Sequence, residues 1–338
     1  MKKKIICTIG PSSSNKTVLT GLKKNGVDVF RINLSHTDLK QLSGKINLLK
    51  RNKIKNICID TEGAQIRTTK VKKKMFFKKN KKVKISIKDN FSNKNNIYLY
   101  PKFDLTSVKI NTKIFIGFDN LEIKVLQKSL EEKFLIGKVV NDGLLESNKS
   151  VHFSCNIKLP PLTEKDITAI KYSIKKDIKI FAMSFVNNHK DVEKIRELIG
   201  NNSFLMSKIE TDNAIKNLKY ISKKSNALLI DRGDLSRYVK IEKIPLAQRY
   251  ICNIAKQNRT PVYVATNLLE SMVKNIQPTR AESNDIFTSL ENGADGLVLA
   301  AESAIGNYPI LAAKFLKDCI KVFANKKKIS NKNLYLLN

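Results

Sequence analysis

Short apolar runs that close on ionisable or hydroxylated residues recur along the chain, separated by stretches with helical spacing. Eight such runs stand out: 5–10 (IICTIG), 29–35 (VFRINLS), 56–61 (NICIDT), 180–185, 204–210 (FLMSKIE), 227–234 (ALLIDRGD), 261–266 (PVYVAT) and 296–302 (GLVLAAE). Nearly continuous apolar runs of this length suit strands buried on both faces, as in a parallel sheet. Between them the spacing predicts helices over roughly 16–25, 38–51, 163–176, 189–199, 243–257 and 283–292. Residues 268–280 read as a long loop, and Pro309 opens a last helix at the first-turn position that proline favours. From about Thr69 to Asn156 the texture changes to alternating runs such as KVKISIK, IYLY and LEIKVLQ, broken by Asn, Asp and Gly turns. The reading is a (β/α)8 barrel over 1–68 and 157–324, with a small all-β lid domain, a β-barrel over 69–156, inserted after the third strand. Residues 325–338 read as a tail.

Composition narrows the class. No apolar run approaches the length of a membrane span, and the charges of MKKKIICTIG lead straight into a strand rather than a leader, so the expectation is cytoplasmic with no membrane partner. The five cysteines are scattered without CxxC spacing, which suits reduced, mostly buried thiols. A net charge of +33 invites a polyanion partner, yet only nine of the 63 basic residues are arginine. Lysine is spread over all segments beside abundant Asn and Ile, the residues AT-rich codons produce, and no nucleic-acid reader motif is present. No specific nucleic-acid partner is expected.

The chemistry lies where the runs end. Period-two alternation puts Lys208 and Glu210 on one face of a strand, and Arg31, Asn33 and Ser35 on one face of another. Asp60, Asp234 and Thr266 close further runs, and Arg67 follows the third. A parallel barrel gathers such strand ends at one mouth. A lysine, two carboxylates and an arginine there can hold a divalent cation and an anionic substrate, since magnesium takes one or two carboxylates plus phosphate oxygens. Surface salt bridges beside ordinary strands would give the same spacing. Walker A, G-x-G-x-x-G and HExxH sequences are all missing.

A run of motifs resembles the pyruvate kinase family: CTIGPSS at 7–13, RINLSH at 31–36, DTEGAQIR at 60–67, LPPLTEKD at 159–166, SKIE at 207–210, RGDL at 232–235, ATNLLESM at 265–272 and PTRAES at 278–283, then an altered AAESAIGNYP at 300–309. The resemblance implies a glycolytic enzyme that transfers phosphate from phosphoenolpyruvate to ADP, giving pyruvate and ATP. It implies that Lys208 stabilises the moving phosphoryl group, that Arg31 binds phosphate, and that Glu210 and Asp234 hold Mg2+ or Mn2+. Thr266 would face the enolpyruvate, with Gly233 and Asp234 at the substrate. Asn33, Ser35, Asp60 and Thr61 match the family's K+ ligands. Pro11, Asn33, His36, Arg67 and Lys149 match the nucleotide side, and Asp119 matches an acid of the lid. The sequence departs from the family at several points. Ala300 stands where a serine takes part in proton relay, and Asp231 replaces a small residue beside the amides that meet the substrate carboxylate. Ala301 and Ser236 replace glycines, Ile305 replaces a lysine, and Gln65 stands where an acid or lysine bears on potassium dependence. The family's C-terminal domain, with its effector site and one of two subunit interfaces, is expected to be absent, which leaves a homodimer through the barrels. The altered positions also fit a pseudoenzyme, or a phosphotransferase for a related enol phosphate.

Overall fold

In the structure, a computed structural model, residues 2–63, 65–117, 121–155 and 157–325 are described. Eight parallel strands close into a barrel in chain order: Lys4–Thr8, Val29–Asn33, Ile57–Asp60, Ile180–Met183, Phe204–Ile209, Ala227–Asp231, Val262–Ala265 and Gly296–Leu299. The eighth pairs with the first, Ile6 opposite Val298 and Cys7 opposite Leu299. Both faces of these strands are buried, which is why each reads as an apolar run rather than an alternating one. One face packs under the outer helices. The other fills the barrel with Ile6, Val29, Cys58, Ala182, Met206, Ala227, Leu229, Tyr263, Ala265 and Val298.

The helices begin where a polar side chain can satisfy their free N–H groups. Asn15 accepts from Val18, Asp38 from Gln41, and Asn188 forms a reciprocal box with Asp191. Several boundaries differ from the sequence reading, the insertion among them (65–163 rather than 69–156), and two have a local cause. The seventh outer helix spans Arg280–Glu291 rather than starting near 283, because Thr279 and Glu282 form a capping box. Ser35 does not continue the second strand: the chain turns into a short 3-10 segment at Leu34–His36, capped by the Asn33 side chain.

The described residues divide into two compact units, 2–63 with 164–325, and those between 65 and 163. In the second unit a seven-stranded, mostly antiparallel sheet buries alternate residues, among them Val83, Ile85, Ile97, Leu99, Ile123 and Leu135. Its two edge strands, Val151–Phe153 and Arg67–Thr68, are tied together by Val151 N–H to the Ile66 carbonyl at 2.7 Å and Thr68 N–H to the Lys149 carbonyl at 2.8 Å. Gly137 lies where a Cβ would come within 2.3 Å of Ile123, so a side chain there would push strands apart. Among the described residues, no helix is long and apolar enough to cross a membrane.

Candidate active site

Two residues beyond the apolar layer, the inward face of the barrel turns polar. Ile6 leads to Thr8, Val29 to Arg31, Cys58 to Asp60, Ala182 to Ser184, Met206 to Lys208 and Leu229 to Asp231. Strand periodicity alone brings these six side chains to the C-terminal mouth. On the eighth strand the same step leads from Val298 to Ala300, which carries no polar group.

Lys208 is the hub. Its Nζ lies 2.8 Å from Glu210 Oε1, 3.3 Å from Asp231 Oδ2 and 3.6 Å from Asp60 Oδ2, and it donates to Ser184 Oγ at 3.1 Å. Arg31 donates through Nη1 to Asp60 Oδ2 at 3.1 Å, and through Nε and Nη2 to Thr8 Oγ1 at 2.9 and 2.7 Å. The Thr8 hydroxyl donates in turn to the Leu299 carbonyl, so the first strand links the eighth to the second. The Ser184 hydroxyl donates to the Thr61 carbonyl at 2.7 Å, and Thr61 Oγ1 accepts the Ser184 N–H. Lys208 and Arg31 are buried together with Asp60 and Glu210, so these charges are screened by one another rather than by water.

Burial pushes the Lys208 pKa down, but Asp60, Glu210 and Asp231 outweigh it and hold the ammonium charged. Burial pushes Asp231 up, yet Lys208 and the Thr266 hydrogen bond bring it below the ordinary value. For Glu210, burial dominates over the opposing Lys208, with Asp234 and Asp231 adding to it, and the carboxyl is pushed up to about 8. Glu210 Oε2 accepts the Phe185 N–H at 2.6 Å. Oε1 is buried and is held by the Lys208 ammonium as an ion pair at 2.8 Å, with no further partner among the described residues. Carboxylate oxygens of Glu210, Asp231 and Asp234 lie within 4.8 Å of one another. An all-oxygen donor set, with one buried oxygen held only by ion pairing, fits a hard divalent cation.

The mouth beside this cluster is held by backbone of unusual shape. Thr266 has φ +76° and Asn267 φ +57°, left-handed values that a β-branched residue rarely adopts. Arg232 fixes the turn by donating through Nε and Nη2 to the Thr266 carbonyl, and its Nη1 pairs with Asp285. The Thr266 hydroxyl donates to Asp231 Oδ1 at 2.6 Å. Gly233 faces this threonine: a Cβ there would come within 2.9 Å of Thr266 Cγ2. Buried Glu302 accepts the N–H groups of Leu269 and Ala300, joining the segments that follow the seventh and eighth strands.

Of the residues singled out from sequence, Arg31, Asp60, Lys208, Glu210, Asp234 and Thr266 converge here, with Thr266 entering through Asp231. Asn33 and Asp60 are register partners on adjacent strands, and Thr61 adjoins them through Ser184. Asn33 Oδ1 accepts the Ser35 N–H. Pro11 and His36 are exposed on the turns that follow the first and second strands. Arg67 and Lys149 belong to the second unit, where Arg67 Nη1 donates to the Asn148 carbonyl and Lys149 Nζ pairs with Glu146. Asp119 and the tail from residue 326 lie outside the described residues. Sequence reasoning missed Thr8, Ser184 and Glu302 as structural members of the site, placed Arg232 there only as part of the Asp-Arg-Gly-Asp ending, and beside the motif match took Asp231 as a disturbance. Thr8 and Ser184 were accessible, because each stands two residues after an inward apolar residue. A separate groove of about 490 Å³, lined by Met272, Ile276, Pro278, Arg280, Leu311 and Phe315 among others, includes none of the strand-end groups.

Residues 1–313 match the family model described as pyruvate kinase, barrel domain. The chain is 30% identical over 331 residues to a pyruvate kinase of Chlamydia muridarum, an alignment covering 95% of this chain and 68% of the relative. It is 33% identical to a pyruvate kinase of Thermoplasma acidophilum, covering 94% of this chain and 57% of the relative. Identity to a pyruvate kinase of Thermotoga maritima is 34%, covering 94% and 70%. The chain therefore spans between just over half and about two thirds of the lengths of these relatives.

Proposed function

The chain belongs to the pyruvate kinase family, and we propose that it transfers the phosphoryl group of phosphoenolpyruvate to ADP. An ADP β-phosphate oxygen attacks phosphorus, the bond to the enol oxygen breaks, and the enolate takes a proton at its methylene carbon to become pyruvate. The observation that carries this reading is the buried Lys208 ammonium, set beside Arg31 and ringed by Asp60, Glu210 and Asp231 within 3.6 Å. Phosphoryl transfer asks little covalent chemistry of the protein; it asks for fixed positive charge and alignment. In this reading Lys208 meets the phosphoryl oxygens as charge spreads over them, and Arg31 holds the phosphate. Glu210 and Asp234 hold Mg2+ or Mn2+, which when bound polarises the phosphoryl and carboxylate oxygens of the substrate. Asn33, Ser35, Asp60 and Thr61 supply oxygens suited to K+. Thr266, with Gly233, faces the enolpyruvate, while Pro11, Asn33, His36, Arg67 and Lys149 serve the nucleotide. We further propose a homodimer through the barrels, to which the PTRAES region at 278–283 and neighbouring helices contribute, with Ile276 and Leu311 exposed beside it; a salt-independent tetramer in light scattering would refute it.

A second reading, a pseudoenzyme or a phosphotransferase for another enol phosphate, draws on two observations. Asp231 places a carboxylate against both Lys208 and the Thr266 hydroxyl, and Ala300 offers no hydroxyl to a proton relay. A coupled assay of the purified chain with phosphoenolpyruvate, ADP and Mg2+, with and without K+, decides between them. Turnover that requires the divalent cation supports the first reading. Binding of the enol phosphate without pyruvate release supports the second.

A further inference from the structure

We propose that Asp231 is a third carboxylate ligand of the divalent cation, so that this chain binds the cation tightly before any phosphorylated substrate arrives. The inference rests on the reading of Glu210 and Asp234 as cation ligands and adds a residue to it. Resemblance to the family implies a small residue at 231, a site with two carboxylates and a cation shell that substrate oxygens complete. Here one oxygen from each of Glu210, Asp231 and Asp234 lies within 4.8 Å of the others. Acidic residues often cluster without holding an ion, so a second observation bears on the site: Glu210, a member of that trio, has a buried Oε1 whose partner is the Lys208 ammonium at 2.8 Å and which makes no other bond among the described residues.

Asp231 is also aimed rather than merely near. Its Oδ1 is fixed by the Thr266 hydroxyl at 2.6 Å, which leaves Oδ2 on the side of Lys208, 3.3 Å away. Lys208 contacts Glu210 and Asp231 together, and so stands where a cation placed between those carboxylates would share them. An added carboxylate strengthens attraction for a dication and weakens it for a multiply anionic substrate. Cation affinity would then depend less on substrate than in a two-carboxylate site.

The test is Mn2+ titration of the full chain without substrate, followed by electron paramagnetic resonance, for wild type, Glu210→Gln, Asp231→Ala and Asp231→Asn. The expected result is one site in wild type, weakened about tenfold or more by Glu210→Gln and by Asp231→Ala. Asp231→Asn keeps an oxygen for Thr266 and should fall between wild type and Asp231→Ala. If Glu210→Gln binds like wild type, the cation reading itself fails. If Glu210→Gln weakens binding and Asp231→Ala does not, only the third ligand is overturned. Should the Asp231 variants not fold, the water count on Mn2+ in wild type decides. Three protein oxygens on an octahedral ion leave about three exchangeable waters, and about four would overturn the proposal.

Discussion

Spacing alone makes Lys208→Met look like a clean removal of a catalytic charge. Burial changes that expectation. The methionine keeps most of the stem's volume but leaves Asp60, Glu210 and Asp231, all within 3.6 Å of the lost ammonium, with Arg31 as the remaining cation bonded to Asp60. Removing one partner of a buried ion cluster costs about 3–5 kcal/mol, because the orphaned charges keep their desolvation cost. At about 2–4 °C per kcal/mol for a barrel of this size, the melting temperature should fall by about 6–20 °C. Circular dichroism melts in buffer free of divalent cations would measure it. Two comparisons sharpen the test. The double variant Lys208→Met with Asp231→Ala should melt higher than the single one, since it removes one of the unbalanced carboxylates. Saturating Mg2+ should raise the single variant's melting temperature more than wild type's. A single variant melting within about 2 °C of wild type would show that the carboxylates shed their charge at little cost, and the electrostatic account of this site would be wrong. In the folded fraction, phosphoryl transfer should fall by about 10²–10³-fold or more, the scale of one lost charge-stabilising donor.

Three smaller effects follow from the same geometry. Gly233→Ala places a methyl group 2.9 Å from Thr266 Cγ2, and the strained turn resists retreat while Arg232 holds its carbonyl; the KM for phosphoenolpyruvate should rise about tenfold and the melting temperature should fall, whereas unaltered kinetics would refute the fit. Glu282 accepts from Ser271 and Thr279 through both backbone and side chain; burial raises its pKa and these hydrogen bonds more than reverse that, holding it below the ordinary 4.5. Its contribution is therefore full above that value and lost as pH falls through the lower folded one, so Glu282→Gln should cost about 1 kcal/mol near neutrality, and the difference in denaturant melts should vanish in acid. Cys7 and Cys58 are buried with pKa values raised by burial, and Cys252 is pushed up to about 12, so a thiol reagent at pH 8 should label the less buried Cys155 and Cys319 first and reach the other three only on unfolding.

The barrel was legible because burial on both faces writes each strand as an unbroken apolar run, and the sheet's closure needs no further signal. Lys208 and Glu210 were legible as candidates because period two puts both on one face at the end of such a run, and the motif resemblance, rather than the spacing, set aside the surface salt bridge. Thr8 and Ser184 obey the same period but carry no charge, so their hydroxyls passed for ordinary strand-end residues. The start of the seventh outer helix was equally available, in Thr279 and Glu282 at capping-box spacing. What no local pattern could give is contact across the mouth: Arg232 folding onto the carbonyl of Thr266, or Glu302 collecting two N–H groups from different segments.

Asp231 shows why such contacts matter more than the residue list. Beside a motif match it looks like damage, a carboxylate where a small side chain is expected. In the folded chain it is satisfied on both sides, by Lys208 and by Thr266, and its pKa is lowered rather than raised. A merely tolerated buried acid would show the opposite, because desolvation unopposed favours the neutral form. The Thr266 backbone is held in a left-handed conformation that costs about 1–3 kcal/mol, and that cost persists only where surrounding bonds over-determine it. Arg232 supplies two of those bonds to the Thr266 carbonyl, and Asp231 a third by accepting the Thr266 hydroxyl. The acid is thus part of the scaffold that keeps Thr266 in place as well as a neighbour of the cation ligands. Replacing it must alter both geometry and charge at once, and for that reason asparagine and alanine variants belong in the same experiment.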